Sequence, residues 1–148
     1  MISRFAIHKT IRIIRILFLG GFMQRNFEQV KINEIEINTL VEGDGKPVIF
    51  VHGWPESWYS WRNQIEPFKK AGYKVIIPDI RGYGRSSNPK EVEKYTLKEI
   101  TKDLIGILDF LNEENAHIIG HDWGAPISSV SYTHLRAHET PEHLVCRL

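Results

Sequence analysis

Short apolar runs alternate along this chain with longer segments in which apolar residues recur every three or four positions. Between Val30 and Ile37 apolar and polar residues alternate, and the phase of the alternation reverses near Asn33. This reversal predicts a hairpin of two short strands. Three later runs are apolar almost throughout, as is typical of strands covered on both faces. They occupy residues 47–51, 73–80 and 116–119.

The first segment with a helical period follows the first of those runs. Its apolar residues are spaced by three and four positions and predict one buried face: Trp58, Trp61, Ile65 and Phe68. Gly72 supplies a stop for this helix. Pro67 is expected to kink the helix or divide it in two, because proline donates no backbone N–H.

A second helix has a clearer beginning. Thr96 followed by Glu99 has the spacing of a capping box, in which a side-chain oxygen accepts from the first free backbone N–H groups. An apolar stripe follows at helical spacing: Leu97, Ile100, Leu104, Leu108 and Leu111.

The order of the elements, a hairpin and then strand, helix, strand, helix and strand, predicts an α/β fold. We expect a mostly parallel sheet with flanking helices. Right-handed crossovers would bring the carboxyl ends of the parallel strands to one edge, where ligands bind in such folds. Three loops follow those ends, at residues 52–55, 79–87 and 120–124.

Composition narrows the class of protein without naming a ligand. The chain is 42% hydrophobic and 25% charged, as soluble globular proteins are. Its net charge of +1 gives no reason to expect nucleic acid binding. Cys146 is the single cysteine, so the chain has no internal disulfide framework, and a metal site built on thiolates is not expected.

Residues 1–22 form a basic extension of uncertain origin. Arg12 and Arg15 interrupt its apolar stretch, which leaves a run far shorter than the roughly 20 residues that span a bilayer. No small-residue cleavage site follows, so a secretory signal is not expected either. Met23 is an alternative start. The extension is therefore interpreted as translated upstream sequence, or as a basic amphipathic arm or targeting segment.

The loop at residues 120–124, GHDWG, has the spacing of a nucleophile elbow between a strand and a helix. Gly120 and Gly124 are the small residues that this sharp turn requires, and Asp122 is the central residue. Serine stands there in the common version. A serine attacking a saturated carbon would form an ether, whereas a carboxylate forms an ester that an activated water can hydrolyse. Asp122 therefore favours displacement at an epoxide or an alkyl halide.

Three motifs in order resemble those of epoxide hydrolases of the α/β-hydrolase superfamily: HGWPESWYSWRNQ at 52–64, PDIRGYGRSS at 78–87 and GHDWGAP at 120–126. The resemblance implies that the chain holds the N-terminal part of an α/β-hydrolase fold. It also implies that Asp122 opens a small apolar epoxide to an ester, which water then cleaves to a diol. The protein is expected to need no cofactor or metal and to be cytoplasmic. Haloalkane dehalogenases share the aspartate, but usually place a halide-binding asparagine where this chain has Trp54.

The same resemblance implies an oxyanion hole formed by the backbone N–H groups of Trp54 and Trp123. His52, Gly53 and Pro55 are interpreted as support for the first loop. The structural interpretation is also favoured for several other residues near the motifs: His121 pointing away from the nucleophile, Trp58 and Trp61 in the helix core, and Asp79 and Arg81 bracing the second loop.

In the family the acid and the histidine follow the nucleophile, beyond further strands and a helical cap. The chain alone is therefore expected to be an inactive fragment; a non-catalytic binding module is the alternative of another class. We expect residues 23–129 to be a partial core domain and 130–148 a non-native tail. Residues 131–140 and 143–148 back-translate, in one reading frame, to sequence resembling the flanks of a sequencing-library adapter. A divergent hydrolase tail is the alternative.

Overall fold

The computed structural model describes residues 25–32 and 34–135. The predicted extension at 1–22 lies outside the described residues, and so do residues 136–148 of the predicted tail at 130–148. The described strands are β1 (Phe27–Ile32), β2 (Ile35–Glu42), β3 (Lys46–Val51), β4 (Tyr73–Pro78) and β5 (His117–Gly120). The helices are α1 (Arg62–Lys70), α2 (Leu97–Phe110) and α3 (Gly124–Leu135), with 3-10 turns at Trp58–Trp61 and Val92–Tyr95.

The first two strands form the predicted antiparallel hairpin. Their register runs from Phe27 opposite Leu40 to Ile32 opposite Ile35. The phase of the apolar alternation therefore reverses at the turn because the chain changes direction there. Val30 and Ile37 are paired in this register and are buried on the same face.

The strands lie in the order β1-β2-β4-β3-β5 within one sheet. β3 is parallel to both β4 and β5, whereas β2 is antiparallel to β1 and β4. The sheet is thus mixed, with its parallel part in the centre and at the β5 side. The parallel arrangement brings the carboxyl ends of β3, β4 and β5 to one edge, and the three loops with candidate chemistry begin there.

Both faces of the sheet are covered, which confirms the predicted α/β class. One apolar cluster includes Ile49 and Ile76 of the sheet and Leu104, Ile107 and Leu108 of α2. The other cluster lies on the opposite face, under α1: Leu40, Val48, Phe50, Ile65, Val75 and Ile77. Full burial of each such side chain contributes roughly 1.5–3 kcal/mol, so the two clusters stabilise the packing of the helices on the sheet.

Three expectations about the elements need correction. β4 ends at Pro78, two residues before the predicted end, because the backbone of Asp79 and Ile80 turns to form the following loop. Residues of β5 are at best half-buried, since within the described part of the chain this strand is bonded to β3 alone. Pro67 does not divide α1, which is continuous from Arg62 to Lys70; the change from 3-10 to α geometry falls at Trp61.

The beginning of α2 follows half of the predicted capping pattern. Thr96 Oγ1 accepts from the Glu99 backbone N–H at 3.3 Å. The Glu99 carboxylate accepts from Lys102 Nζ at 2.6 Å, one turn further along the helix. The predicted stripe is confirmed, with Ile100, Leu104 and Leu108 buried.

Candidate active site

The elbow between β5 and α3 places Asp122 at the edge of the sheet. Asp122 has a φ of 53°, in the left-handed region that residues with a Cβ seldom adopt. The turn is closed by backbone hydrogen bonds from Gly124 to His121 at 2.8 Å and from Ala125 to Asp122 at 2.9 Å. The side chain of this strained residue is exposed at the strand ends. Backbone strain of this kind is often found at functional sites.

The glycines on either side of Asp122 have no room for a side chain. A Cβ at Gly120 would lie 2.2 Å from the carbonyl oxygen of Gly124. A Cβ at Gly124 would lie 2.1 Å from the carbonyl oxygen of Val51 in β3. The backbones of β3, β5 and α3 therefore touch, and this close approach fixes the position of Asp122 against the loop that follows β3.

A backbone N–H group of the loop after β3 binds the Asp122 carboxylate. The Trp54 N–H donates to Asp122 Oδ2 at 2.9 Å across 68 residues of sequence. Hydrogen bonds from the backbone of Trp54 and then of Trp123 hold the pKa of the Asp122 carboxyl below its ordinary value. A Cβ at Gly53 would lie 2.5 Å from Oδ2, so only glycine permits this approach. The carboxylate is therefore ionised and already oriented near neutral pH.

The loop that carries Trp54 is supported by His52, a fully buried side chain. One ring nitrogen, Nδ1, lies 2.9 Å from the Gly53 carbonyl oxygen. The other, Nε2, accepts from the Ile80 backbone N–H at 3.0 Å. Burial lowers the pKa of His52. His52 thus connects the loop after β3 to the end of β4, and Pro55 follows a cis peptide bond in the same loop.

Asp79 and Arg81 brace the loop after β4. The buried Asp79 carboxylate accepts from the backbone N–H of Trp58 at 2.9 Å and from the Asn38 side chain at 2.8 Å. Arg81 pairs with Asp103 on α2 at 2.6 Å. Sequence reasoning missed Asn38 and Asp103. The signal for Asn38 was a polar residue inside an apolar strand; for Asp103 it was an acid beside the apolar stripe of a helix.

The aromatic residues near the elbow divide into two groups. The side chains of Trp54 and Trp123 are 63% and 59% exposed, and both residues belong to the loops that meet at Asp122. Trp58 and Trp61 are half-buried and pack against Phe27 and Phe50 with ring centroids 5.0 Å apart in each pair. Trp58 and Trp61 therefore contribute to packing under the sheet.

His121 precedes Asp122 in the chain, but its side chain faces a different group. Its side chain is exposed, and Nδ1 lies 3.7 Å from Glu56 Oε1. Glu56 Oε2 also accepts, at 3.4 Å, from the Gly53 backbone N–H. Glu56 therefore lies between the two loops that meet at Asp122, a role for which the sequence offered no signal.

The described residues form neither a metal-binding cluster nor a membrane-spanning helix. Residues 25–32 and 34–135 contain no group of three or more histidine, cysteine or acidic side chains placed to hold a metal ion. None of the described helices is long and apolar enough to cross a membrane.

Comparison with known proteins identifies the family. A family model described as alpha/beta hydrolase fold matches residues 46–134. Epoxide hydrolase B of Mycobacterium tuberculosis is 50% identical over 84 residues, which cover 57% of this chain and 24% of that protein. The AB hydrolase superfamily protein YfhM of Bacillus subtilis is 40% identical over 117 residues, 78% of this chain and 39% of that protein.

Solved structures agree with these relatives. An epoxide hydrolase from an endophytic Streptomyces superposes with a TM-score of 0.74 at 38% identity, covering 78% of this chain and 34% of that one. The chain thus spans roughly a quarter to two fifths of the length of the proteins it matches. The resemblance to epoxide hydrolases is confirmed as a similarity of sequence and fold. On the family match and the geometry of the elbow, the chain belongs to the alpha/beta hydrolase fold family.

Proposed function

We propose that this chain carries the nucleophile and oxyanion hole of an epoxide hydrolase, which converts small apolar epoxides and water to vicinal diols. The observation that supports this most is the bond from the Trp54 N–H to Asp122 Oδ2, which orients an ionised carboxylate at the edge of the sheet. The names of the relatives support the substrate class. The exposed indoles of Trp54 and Trp123 supply an apolar surface for the carbon skeleton of the epoxide.

In this proposal the two carboxylate oxygens have different tasks, because Oδ2 is the one that accepts from the Trp54 N–H. Asp122 Oδ1 attacks a ring carbon, the carbon–oxygen bond of the epoxide breaks, and the departing alkoxide takes a proton from water. Oδ2 then becomes the carbonyl oxygen of the ester. When water attacks the ester carbon, negative charge collects on Oδ2, and the N–H groups of Trp54 and Trp123 stabilise it before collapse releases the diol and the carboxylate. Removal of one such donor typically costs ~100–1000-fold in rate.

Hydrolysis of the ester needs a base, and the loops around Asp122 supply none among the described side chains. Both ring nitrogens of His52 are bonded to backbone groups. His121 Nδ1 lies 3.7 Å from Glu56 Oε1, so this ring nitrogen faces Glu56. We place the histidine and its acid outside these 148 residues, as the chain order in the family implies. The cytoplasmic location and the domain division at 22 and 129 stay predictions.

The test uses the chain as it is, because the first half-reaction needs only the carboxylate and a proton from water. Incubation with styrene oxide is expected to add one molecule to Asp122 as an ester that persists, detected by mass spectrometry of proteolytic peptides. Asp122→Asn removes the adduct, whereas Asp44→Asn, an exposed carboxylate in the turn after β2, leaves it unchanged. An adduct at another residue, or none, would argue against Asp122 as the nucleophile.

Measuring product release separates an inactive fragment, an epoxide hydrolase and a haloalkane dehalogenase. The 148-residue chain is expected to release no diol, and diol formation that is lost in Asp122→Ala would refute that expectation. In a gene completed with the missing partners, diol from styrene oxide supports the epoxide hydrolase. Halide release from a bromoalkane would instead indicate a haloalkane dehalogenase.

A further inference from the structure

The peptide group between Gly53 and Trp54 is held at both of its polar ends. Its N–H donates to Asp122 Oδ2 at 2.9 Å. Its carbonyl oxygen accepts from the Glu56 N–H at 3.1 Å and lies 2.9 Å from His52 Nδ1. Because a peptide group is planar, whatever fixes its oxygen also fixes the direction of its N–H. His52 therefore acts on the same rigid unit that binds the nucleophile.

The contacts of His52 also determine where its proton lies. The Ile80 backbone N–H can only donate, so Nε2, at 3.0 Å, carries a lone pair. The Gly53 carbonyl can only accept, so Nδ1 carries the proton. His52 is thus neutral, with Nδ1 as donor, and its side chain is wholly buried, which leaves water no access to replace either bond.

We propose that His52 is a positioning residue, which as the neutral Nδ1–H tautomer holds the Gly53–Trp54 peptide with its N–H directed at the Asp122 carboxylate. This inference rests on the proposed function, since it assigns to His52 the alignment of one oxyanion donor. A hydrogen bond to the carbonyl oxygen also polarises the peptide, which makes its N–H a stronger donor. The effect therefore reaches Asp122 through Trp54, without contact between His52 and substrate.

The surroundings of His52 support the neutral form. Burial lowers the pKa of His52, while the negative charges of Asp79 and Glu56 act in the opposite direction. The third neighbour is the ring of Tyr83, edge-on with its centroid 5.5 Å from that of the imidazole. Protonation of Nε2 would oppose the Ile80 N–H with a second donor and break the link to β4.

The two hydrogen bonds of His52 can be separated by substitution. In His52→Asn the side-chain amide N–H lies near the place of Nδ1–H and can still donate to Gly53. In His52→Gln the amide oxygen lies near the place of Nε2 and can still accept from Ile80. If His52 only links the two loops, either substitution should disturb the Asp122 carboxylate equally. If His52 positions the peptide, the carboxylate should be disturbed only when the donor to Gly53 is lost.

The readout is the titration of the Asp122 carboxyl carbon in the 148-residue chain, followed by NMR and assigned with Asp122→Asn. In the unsubstituted chain its pKa is expected below the ordinary value. It should stay low in His52→Asn and rise toward the ordinary value in His52→Gln. The Trp54 amide proton should exchange about tenfold faster in the glutamine variant, as expected for loss of about one hydrogen bond. Equal shifts in both variants, or none in the glutamine variant, would overturn the proposal.

A measurement without substitution covers the case in which a variant does not fold. The nitrogen spectrum of His52 is expected to show the Nδ1–H tautomer from neutral pH upward, and an Nε2–H tautomer would overturn the proposal. These readouts are independent of the ester at Asp122. If the ester fails to form while the titration pattern holds, the proposed function fails and the positioning role of His52 stands. If the ester forms but Asp122 has the same pKa in His52→Asn and His52→Gln, the proposed function stands and the positioning role of His52 fails.

Discussion

The brace between the loop after β4 and α2 can be tested with Asp103→Asn. Arg81 donates to both carboxylate oxygens of Asp103 at 2.6 Å, and each side chain is only 4% exposed. The substitution preserves size but leaves the guanidinium buried without its counter-charge. Breaking a buried pair in this way costs about 3–5 kcal/mol. For a protein of this size that corresponds to a melting temperature lower by roughly 10 °C.

A matched control lies on the same helix. Glu99 accepts from Lys102 Nζ at 2.6 Å, the same distance as in the buried pair, but this pair is exposed to water. Glu99→Gln makes the same chemical change there, and solvent screening should leave stability close to that of the unsubstituted chain. Both variants are compared by urea denaturation at pH 7. If Asp103→Asn were no more destabilising than Glu99→Gln, Arg81 and Asp103 would not brace the loop.

A double substitution tests whether the loss in Asp103→Asn comes from leaving the Arg81 charge unpaired. Burial raises the pKa of the Asp103 carboxyl, with Arg81 acting in the opposite direction, so desolvation offsets much of the pair's attraction. Replacing both residues by apolar ones, Arg81→Met with Asp103→Leu, should therefore recover part of the loss. Recovery stays incomplete because Arg81 also donates to the carbonyls of Lys94 and Glu99, at 2.5 and 3.2 Å. Leaving a buried carbonyl without a donor costs about 1–3 kcal/mol.

Three further outcomes are expected. Gly120→Ala should destabilise by about 1–3 kcal/mol in urea, because the new Cβ would lie 2.2 Å from a backbone oxygen; an unchanged midpoint would mean that the elbow is looser than described. Thr96→Ala should cost about 1 kcal/mol through the lost cap of α2, measured in the same way. The contribution of His52 to stability should be complete above pH 6.5, the ordinary pKa of histidine. It should fall as pH drops below 6.5, because His52 binds a proton more readily in the unfolded chain than in the folded chain; His52→Asn should flatten this slope.

Much of the fold was predictable because burial imposes periodicity on sequence. Apolar residues in β3 and in α2 occur where the sheet and helix face the core, so their spacing predicts the elements. Pro67 does not divide α1, although the local preference of proline favours a break there. In the folded chain Ile65 is fully buried and Phe68 packs against Phe50 at 4.9 Å, and this packing keeps α1 continuous despite the proline.

For the candidate site, the sequence by itself determined which side chain stands at the turn, and the tertiary structure determined how that side chain is aligned. Residue type and spacing at 120–124 specify a carboxylate on a sharp turn, because these depend on covalent structure and on neighbours in the chain. The bond from Trp54 to Asp122, and the tautomer of His52 behind it, depend on β3, β4 and β5 lying side by side. Contacts between residues so distant along the chain arise from packing of the sheet, which local sequence preference does not encode.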